Sequence, residues 1–433
     1  MRVIFTLVLL APAAFAAPVS YFNASIDQAR IALQTFDVAS ARTALDRACP
    51  DRVPALAHEQ MALCGDYRGV LEEALGRDEP AVASYIGSVK HWQEAGPAYL
   101  AHRISTMTNL GNLYRRQRHF DDADRVLSQA LELTKTSASS DPALRAGVLA
   151  GMGTLYNDLD QPERARRLLE ESIASLPALP DPRMEAAVAW NSLGMLELHS
   201  GHYKAGESDL REAVRIAETM LGEQSPETAS YSTNLALALM LQGQFSRAGT
   251  LLRRARFVIE SRLGPDSIHL ISTLGELSSV ERELGHFGLA EESGEKALLI
   301  LRGRKPESDE DENLGMVLLE ANLGNLYVRE HKLAEAEKVL PAAVGAERRL
   351  FNDDRALADG LRNLASLRAQ QGSWKDAESL YREAIDIYER KIGPSHRDLA
   401  PVLRDYAAVL KREGAPKTQV KNIEARARSI ASA

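Results

Sequence analysis

The sequence predicts an all-α fold: a right-handed superhelical solenoid of about nine to ten antiparallel helix pairs. Three observations carry that expectation. The first is a repeat about 42 residues long that runs from near residue 20 to the C-terminus. Its first landmark is a small residue at Gly69, Gly111, Gly153, Gly194, Ala236, Ser278, Gly324, Ala365 and Ala407. A second small residue follows at Ala81, Ala123, Ala165, Gly206, Ala248, Ala290, Ala336 and Ala377. A fixed period of this size marks units that bury their apolar faces only by stacking on neighbours. The second observation is a turn glycine inside the units, at Gly76, Gly201, Gly243, Gly285, Gly372 and Gly414. The third is composition: aromatics are only 6%, and Ala, Leu, Glu and Arg dominate, which favours helices.

The chain opens on residues 1–16, which read as a secretory signal peptide. Arg2 supplies the basic start, Val3 to Ala11 is apolar, and Ala14, Phe15 and Ala16 form a small-x-small cleavage site. The apolar run is too short to span a bilayer, where roughly 20 residues are needed. Residues 17–433 then form one solenoid, with degenerate repeats over 17–95, clear repeats over 98–415 and a capping helix over 416–433. Ser25 to Ala48 reads as the first helix pair. Cys49 and Cys64 flank a turn marked by Pro50 and Pro54, so the two face each other across an antiparallel hairpin. A disulfide closing that loop stabilises by about 3 kcal/mol in the chain-entropy model. Two buried thiols packed as small apolar side chains are the alternative.

The middle units show the pattern most clearly. Asn234 to Gln242 is apolar at helical spacing, Gly243 to Ser246 turns, and a second helix carries Ala248, Leu251, Leu252, Ala255 and Ile259 on one face. An aromatic closes most of these turns: Phe120, Tyr203, Phe245, Phe287 and Trp374. Between units, Gly222 ends one helix and Ser225-Pro226 caps and opens the next. Gly264-Pro265 and Gly393-Pro394 repeat that theme, while Asp141-Pro142 and Asp181-Pro182 are simpler versions. The interval from Ser278 to Gly324 is longer, and the excess falls in the charged segment from Gly303 to Glu312, read as a solvated loop. Lys417 to Ser429 is a more polar closing helix.

These units resemble tetratricopeptide repeats. Trp190, Leu193 and Gly194 reproduce the family's opening motif, Tyr114 and Tyr156 fall three residues after Gly111 and Gly153, and Pro177 closes its unit as expected. The longer unit is similar to the repeats of kinesin light chains. Two stretches, from Asn234 through Asp266 and from Asn363 through His396, carry that likeness. The resemblance covers roughly residues 55–415 and implies a fold, not a partner. The signal peptide departs from the cytosolic kinesin light chains, so motor binding does not carry over. In such arrays the first helix of each pair lines a concave groove. The resemblance makes Asn109, Asn112, Asn234, Asn322, Asn325 and Asn363 candidates for clamping an extended peptide backbone. Local capping or structural bonding is the competing role for these side chains.

The formal charge of −8 argues against nucleic acid, which calls for a basic face. Arg115, Arg362 and Arg404 read as solvated helix-face residues rather than a ligand-facing patch. His58 and Glu59 begin like a zinc-protease motif, but Ala62 stands where the second His belongs. His199 and His202 lack a third ligand by spacing. The expectation is no catalytic residue, no metal and no cofactor. The chain reads as an exported, periplasmic or extracellular scaffold that binds a protein or peptide segment in its groove, without stable membrane insertion. A structural subunit of an envelope complex, using the convex face or the ends, is the second reading.

Overall fold

The computed structural model describes residues 20–34, 37–49, 56–136, 141–176, 183–303, 314–351 and 355–432. Residues 1–16, read from the sequence as a signal peptide, and Pro50, Pro54, Pro177, Asp181-Pro182 and the charged segment after Gly303 lie outside the described residues. Among the described residues there are twenty α-helices and no strand. They run α1 (Ser20–Gln34), α2 (Val38–Ala48), α3 (His58–Ala74), α4 (Asp78–Ala95), α5 (Leu100–Arg116), α6 (Phe120–Thr136), α7 (Pro142–Asp158), α8 (Pro162–Ser175), α9 (Met184–His199) and α10 (Tyr203–Leu221). They continue α11 (Pro226–Leu241), α12 (Phe245–Leu263), α13 (Leu270–Glu283), α14 (Phe287–Arg302), α15 (Leu314–Arg329), α16 (Leu333–Phe351), α17 (Arg355–Gln370), α18 (Trp374–Ile392), α19 (Leu399–Glu413) and α20 (Lys417–Ser432).

The chain divides into two compact units, and the division falls within α12. In the first unit α1/α2, α3/α4, α5/α6, α7/α8 and α9/α10 pack as hairpins, and α11 stacks on α10. In the second, α13/α14, α15/α16, α17/α18 and α19/α20 do the same. Each unit buries a continuous apolar strip between successive pairs. In the first unit this strip includes Tyr85, Leu127, Leu155 and Leu169; in the second, Leu340, Leu361, Tyr388 and Leu403.

The small-residue landmarks mark where the two helices of a pair touch. A Cβ added at Gly194 meets Leu210 Cγ at 2.7 Å and the Gly206 carbonyl oxygen at 3.0 Å. In the α13/α14 pair Ser278 replaces glycine, and its hydroxyl donates to the Ala290 carbonyl at 2.7 Å, bonding one landmark to the other. The turn glycines all adopt positive φ, and Arg118, Asp160 and His331 take the same conformation in the units that lack glycine there. The aromatics Phe120, Tyr203, Phe245, Phe287 and Trp374 each begin the second helix of their unit.

Two local expectations are corrected. After Gly264 and Gly393 the next helix does not open at the proline. A further turn intervenes, closed by Leu270 N–H to Ser267 O and His396 N–H to Gly393 O, and the helices start at Leu270 and Leu399. Where Ser225 stands before Pro226, the expected cap forms: the Glu227 N–H donates to Ser225 Oγ at 3.1 Å. The N-terminal pair also begins earlier than Ser25, at Ser20.

Candidate functional site

The six asparagines all lie on first helices: Asn109 and Asn112 on α5, Asn234 on α11, Asn322 and Asn325 on α15, and Asn363 on α17. The structure does not gather them into one site. Asn234 Nδ2 donates to Asn191 Oδ1 at 2.8 Å, one repeat upstream. Asn325 Nδ2 donates to Asn363 Oδ1 in the same manner across α15 and α17. Asn112 faces the bare backbone of Gly151 on α7, and Asn109 is buried. Several of these amides therefore tie successive first helices together. Asn191, one position before the register of Asn234, was absent from the sequence candidates although it sits inside the Trp190–Gly194 motif.

Asn322 and Asn363 also line a recess in the second unit. It measures about 200 Å³ and is walled by α13, α15 and α17, with Glu276, Asn322, Asp359 and Asn363 among its polar groups. Its floor is Glu347 of α16. That side chain is 1% exposed, and its Oε2 has no hydrogen-bond partner. Burial, reinforced by the negative charge of Asp359, pushes the Glu347 carboxyl up to about 8. Gly360 provides the space for it: a side chain there would collide with Oε2. Glu347 falls on the buried stripe of α16 with Leu340, Ala343 and Val344. The equivalent register in other second helices holds Trp92, Ala217, Ile259, Leu301 and Tyr388, all buried. A buried carboxyl thus stands where most units place apolar core and where α6 carries the neutral, buried Thr134. The signal was legible as an acid on an apolar stripe, but the landmark pattern drew attention to first helices.

Several other polar groups join neighbouring helices. Arg115 is not solvated, as its sequence position suggested, but buried and paired with Asp158 on the next first helix. Arg116 pairs with Glu73, Arg183 with Asp141 at 3.2 Å, and Arg355 with Asp398 at 2.6 Å, each about one repeat apart. His202 Nδ1 lies 2.8 Å from Glu197 Oε2 and His286 Nδ1 2.7 Å from Glu281 Oε2, anchoring the turn to the preceding helix. In the first unit buried Asp66 accepts from Ser88, from Trp92 Nε1 at 2.9 Å and from Thr106 Oγ1 at 2.7 Å, joining α3, α4 and α5. Burial outweighs those three donors and raises Asp66 to about 6. Cys49 and Cys64 form a disulfide with Cα atoms 5.9 Å apart. Among the described residues no helix is long and apolar enough to cross a membrane.

Stacked helix hairpins with small residues at their crossings and a left-handed turn inside each pair from α3/α4 onward define an α-helical repeat scaffold. The chain belongs to the tetratricopeptide repeat family. Models of that repeat match residues 185–256, 229–302, 315–390 and 356–418, and another matches residues 103–142, together more than half of the chain. By class it is a protein-interaction scaffold. A Rap protein in complex with competence and sporulation factor is similar over 86% of this chain and 99% of its own, with 12% identity and a TM-score of 0.58. BtubC (BKLC) from P. vanneervenii is 21% identical over 55% of this chain and 96% of its own, with a TM-score of 0.44. A putative kinesin light chain with TPR-like repeats from Podosopora anserina is 20% identical over 48% of this chain and 99% of its own, with a TM-score of 0.38. The likeness to the Rap protein speaks for the fold. No curated protein sequence matches the chain.

Proposed function

We propose that this protein is an exported, non-enzymatic scaffold that receives a protein or peptide segment along its first helices. The recess over Glu347 is an anchoring point. The observation that supports this most is the buried, unpartnered Glu347 oxygen at the floor of a cavity walled by three successive first helices. Buried polar groups are nearly always hydrogen-bonded, and an orphan one calls for an explanation such as a ligand. Asn322 and Asn363 supply amide groups at the rim, suited to a peptide backbone, while Glu276, Glu347 and Asp359 favour a cationic or donor-rich side chain. Export is supported by the N-terminal sequence and by the disulfide, which persists in oxidising compartments.

The test is affinity capture from an envelope extract of the source organism. Wild type is compared with the double variant Asn322→Ala, Glu347→Gln. A partner held by wild type and lost by the folded variant supports the recess; a partner held equally by both refutes it. Mass determination of the exported chain checks cleavage before Ala17. The assembly-subunit reading draws on Leu289 and Leu299, which are exposed on the second helix α14. It predicts capture that Leu299→Glu abolishes and the double variant leaves intact.

A further inference from the structure

At the open end of the α3/α4 hairpin three side chains converge. His58 is the first residue of α3; His91 and Glu94 lie three apart on one face of α4, near its last turn. His58 Nδ1 is 3.2 Å from His91 Nδ1. Glu94 Oε2 is 3.0 Å from His58 Nδ1 and 3.5 Å from His91 Nδ1. We propose that His58, His91 and Glu94 bind one divalent transition-metal ion of the zinc type, with the remaining position open to solvent.

The argument is geometric. Ligand bonds of about 2.0–2.1 Å at tetrahedral angles place neighbouring donor atoms about 3.3–3.4 Å apart. The three measured edges bracket that value. An ion about 2 Å from all three donors then lies a little under ~1 Å out of their plane, as tetrahedral ligation requires. The donors are two imidazole nitrogens and one carboxylate oxygen, a set that suits zinc and its first-row neighbours. All three side chains are open enough to solvent for an ion to enter. Ligation through Nδ1 needs the ring proton on Nε2, which neutral histidine adopts readily.

The frame around the site is rigid. Trp92, next to His91, stacks on His102 with ring centroids 4.7 Å apart and donates its indole N–H to Asp66 of α3. The Cys49–Cys64 disulfide ties α3 to the residue that follows α2. A bound ion would clamp the start of α3 to the end of α4, opposite the Gly76 turn. The sequence pointed to His58 but sought its partner four residues on, where Ala62 stands. The structure supplies the partners from the neighbouring helix instead.

The experiment titrates Zn²⁺ and Co²⁺ alone into the untagged full chain, by calorimetry and by the visible spectrum of bound Co²⁺. The expected result is one equivalent per chain, a Co²⁺ spectrum of tetrahedral type, and a thermal midpoint raised by Zn²⁺. His91→Ala and Glu94→Gln should each weaken binding by more than about tenfold. His286→Ala, in the other unit, should leave it unchanged. Absence of saturable binding to wild type overturns the proposal. So does binding that both His91→Ala and Glu94→Gln leave intact. Circular dichroism confirms that each variant is folded, and agreement between the two variants guards against misfolding in either one.

Discussion

Replacing Glu347 with glutamine should stabilise the protein, and only at pH values where the carboxyl ionises in the unfolded chain. In the folded state the group keeps its proton up to about 8, whereas an ordinary glutamate gives it up near 4.5. Between those values the native state holds one proton more than the unfolded chain. Each pH unit in that window therefore favours unfolding by about 1.4 kcal/mol. Stability from this source is complete below about 4.5, declines as pH rises, and levels off above about 8. At pH 7 the ceiling on the cost is about 3 kcal/mol, and rotation of the carboxyl toward water recovers part of it. Glu347→Gln keeps the shape and stays neutral, so the expected gain is about 1–3 kcal/mol at pH 7 and close to zero at pH 4.5. Urea unfolding followed by circular dichroism at both pH values measures it. A variant equally shifted at both pH values, or less stable at pH 7, would refute the reasoning, because the carboxyl would then be paired and charged.

Four further outcomes follow from the packing. Gly194→Ala should cost about 1–3 kcal/mol in thermal or urea unfolding, because its methyl meets backbone of α10 that has no room to withdraw. Gly147→Ala, in the interior of α7 with its nearest neighbour 3.7 Å away, should instead gain about 0.5–1 kcal/mol by the same assay. Gly372→Ala faces open space, so any loss reports the backbone alone; φ of 83° there predicts about 1–2 kcal/mol. Replacing Cys49 and Cys64 together by serine should lower the stability of the first hairpins by about 3 kcal/mol, read as a lower melting midpoint under oxidising conditions.

The repeat made the helices legible because its landmarks have a direct steric cause. A small residue every unit marks a crossing where no side chain fits, and that information is local to one hairpin. The left-handed turn was legible wherever glycine marked it, and hidden where Arg118, Asp160 or His331 adopt the same conformation. Contacts between repeats were harder to see. Arg115 and Asp158 are separated by a full period, and nothing in the intervening sequence signals that they meet. The same holds for Asn191 with Asn234. The asparagines drew notice because they recur in mid-helix. Recurrence alone did not separate a clamp for a ligand from a bond between neighbouring helices, and two of the pairs prove to form such bonds.

Glu347 is distinguished from those structural groups by what faces it. Its register belongs to the core in other units, where Trp92, Ile259 and Tyr388 fill the space between helices. Opposite, Gly360 occupies a register held by Leu319 in α15 and by Tyr231 in α11, both buried. One side chain has been withdrawn and an acid set in the opening, so two departures from the repeat serve one cavity. Scaffold needs do not account for the exchange, since an apolar side chain at 347 would avoid burying an unpartnered carboxyl. Glu347→Leu separates the two explanations. If the carboxyl serves a ligand, this variant gains stability at pH 7 and loses the captured partner. If Glu347 instead serves the fold, the variant unfolds more easily. Retention of the partner by a stabilised variant would move the binding surface away from this recess altogether.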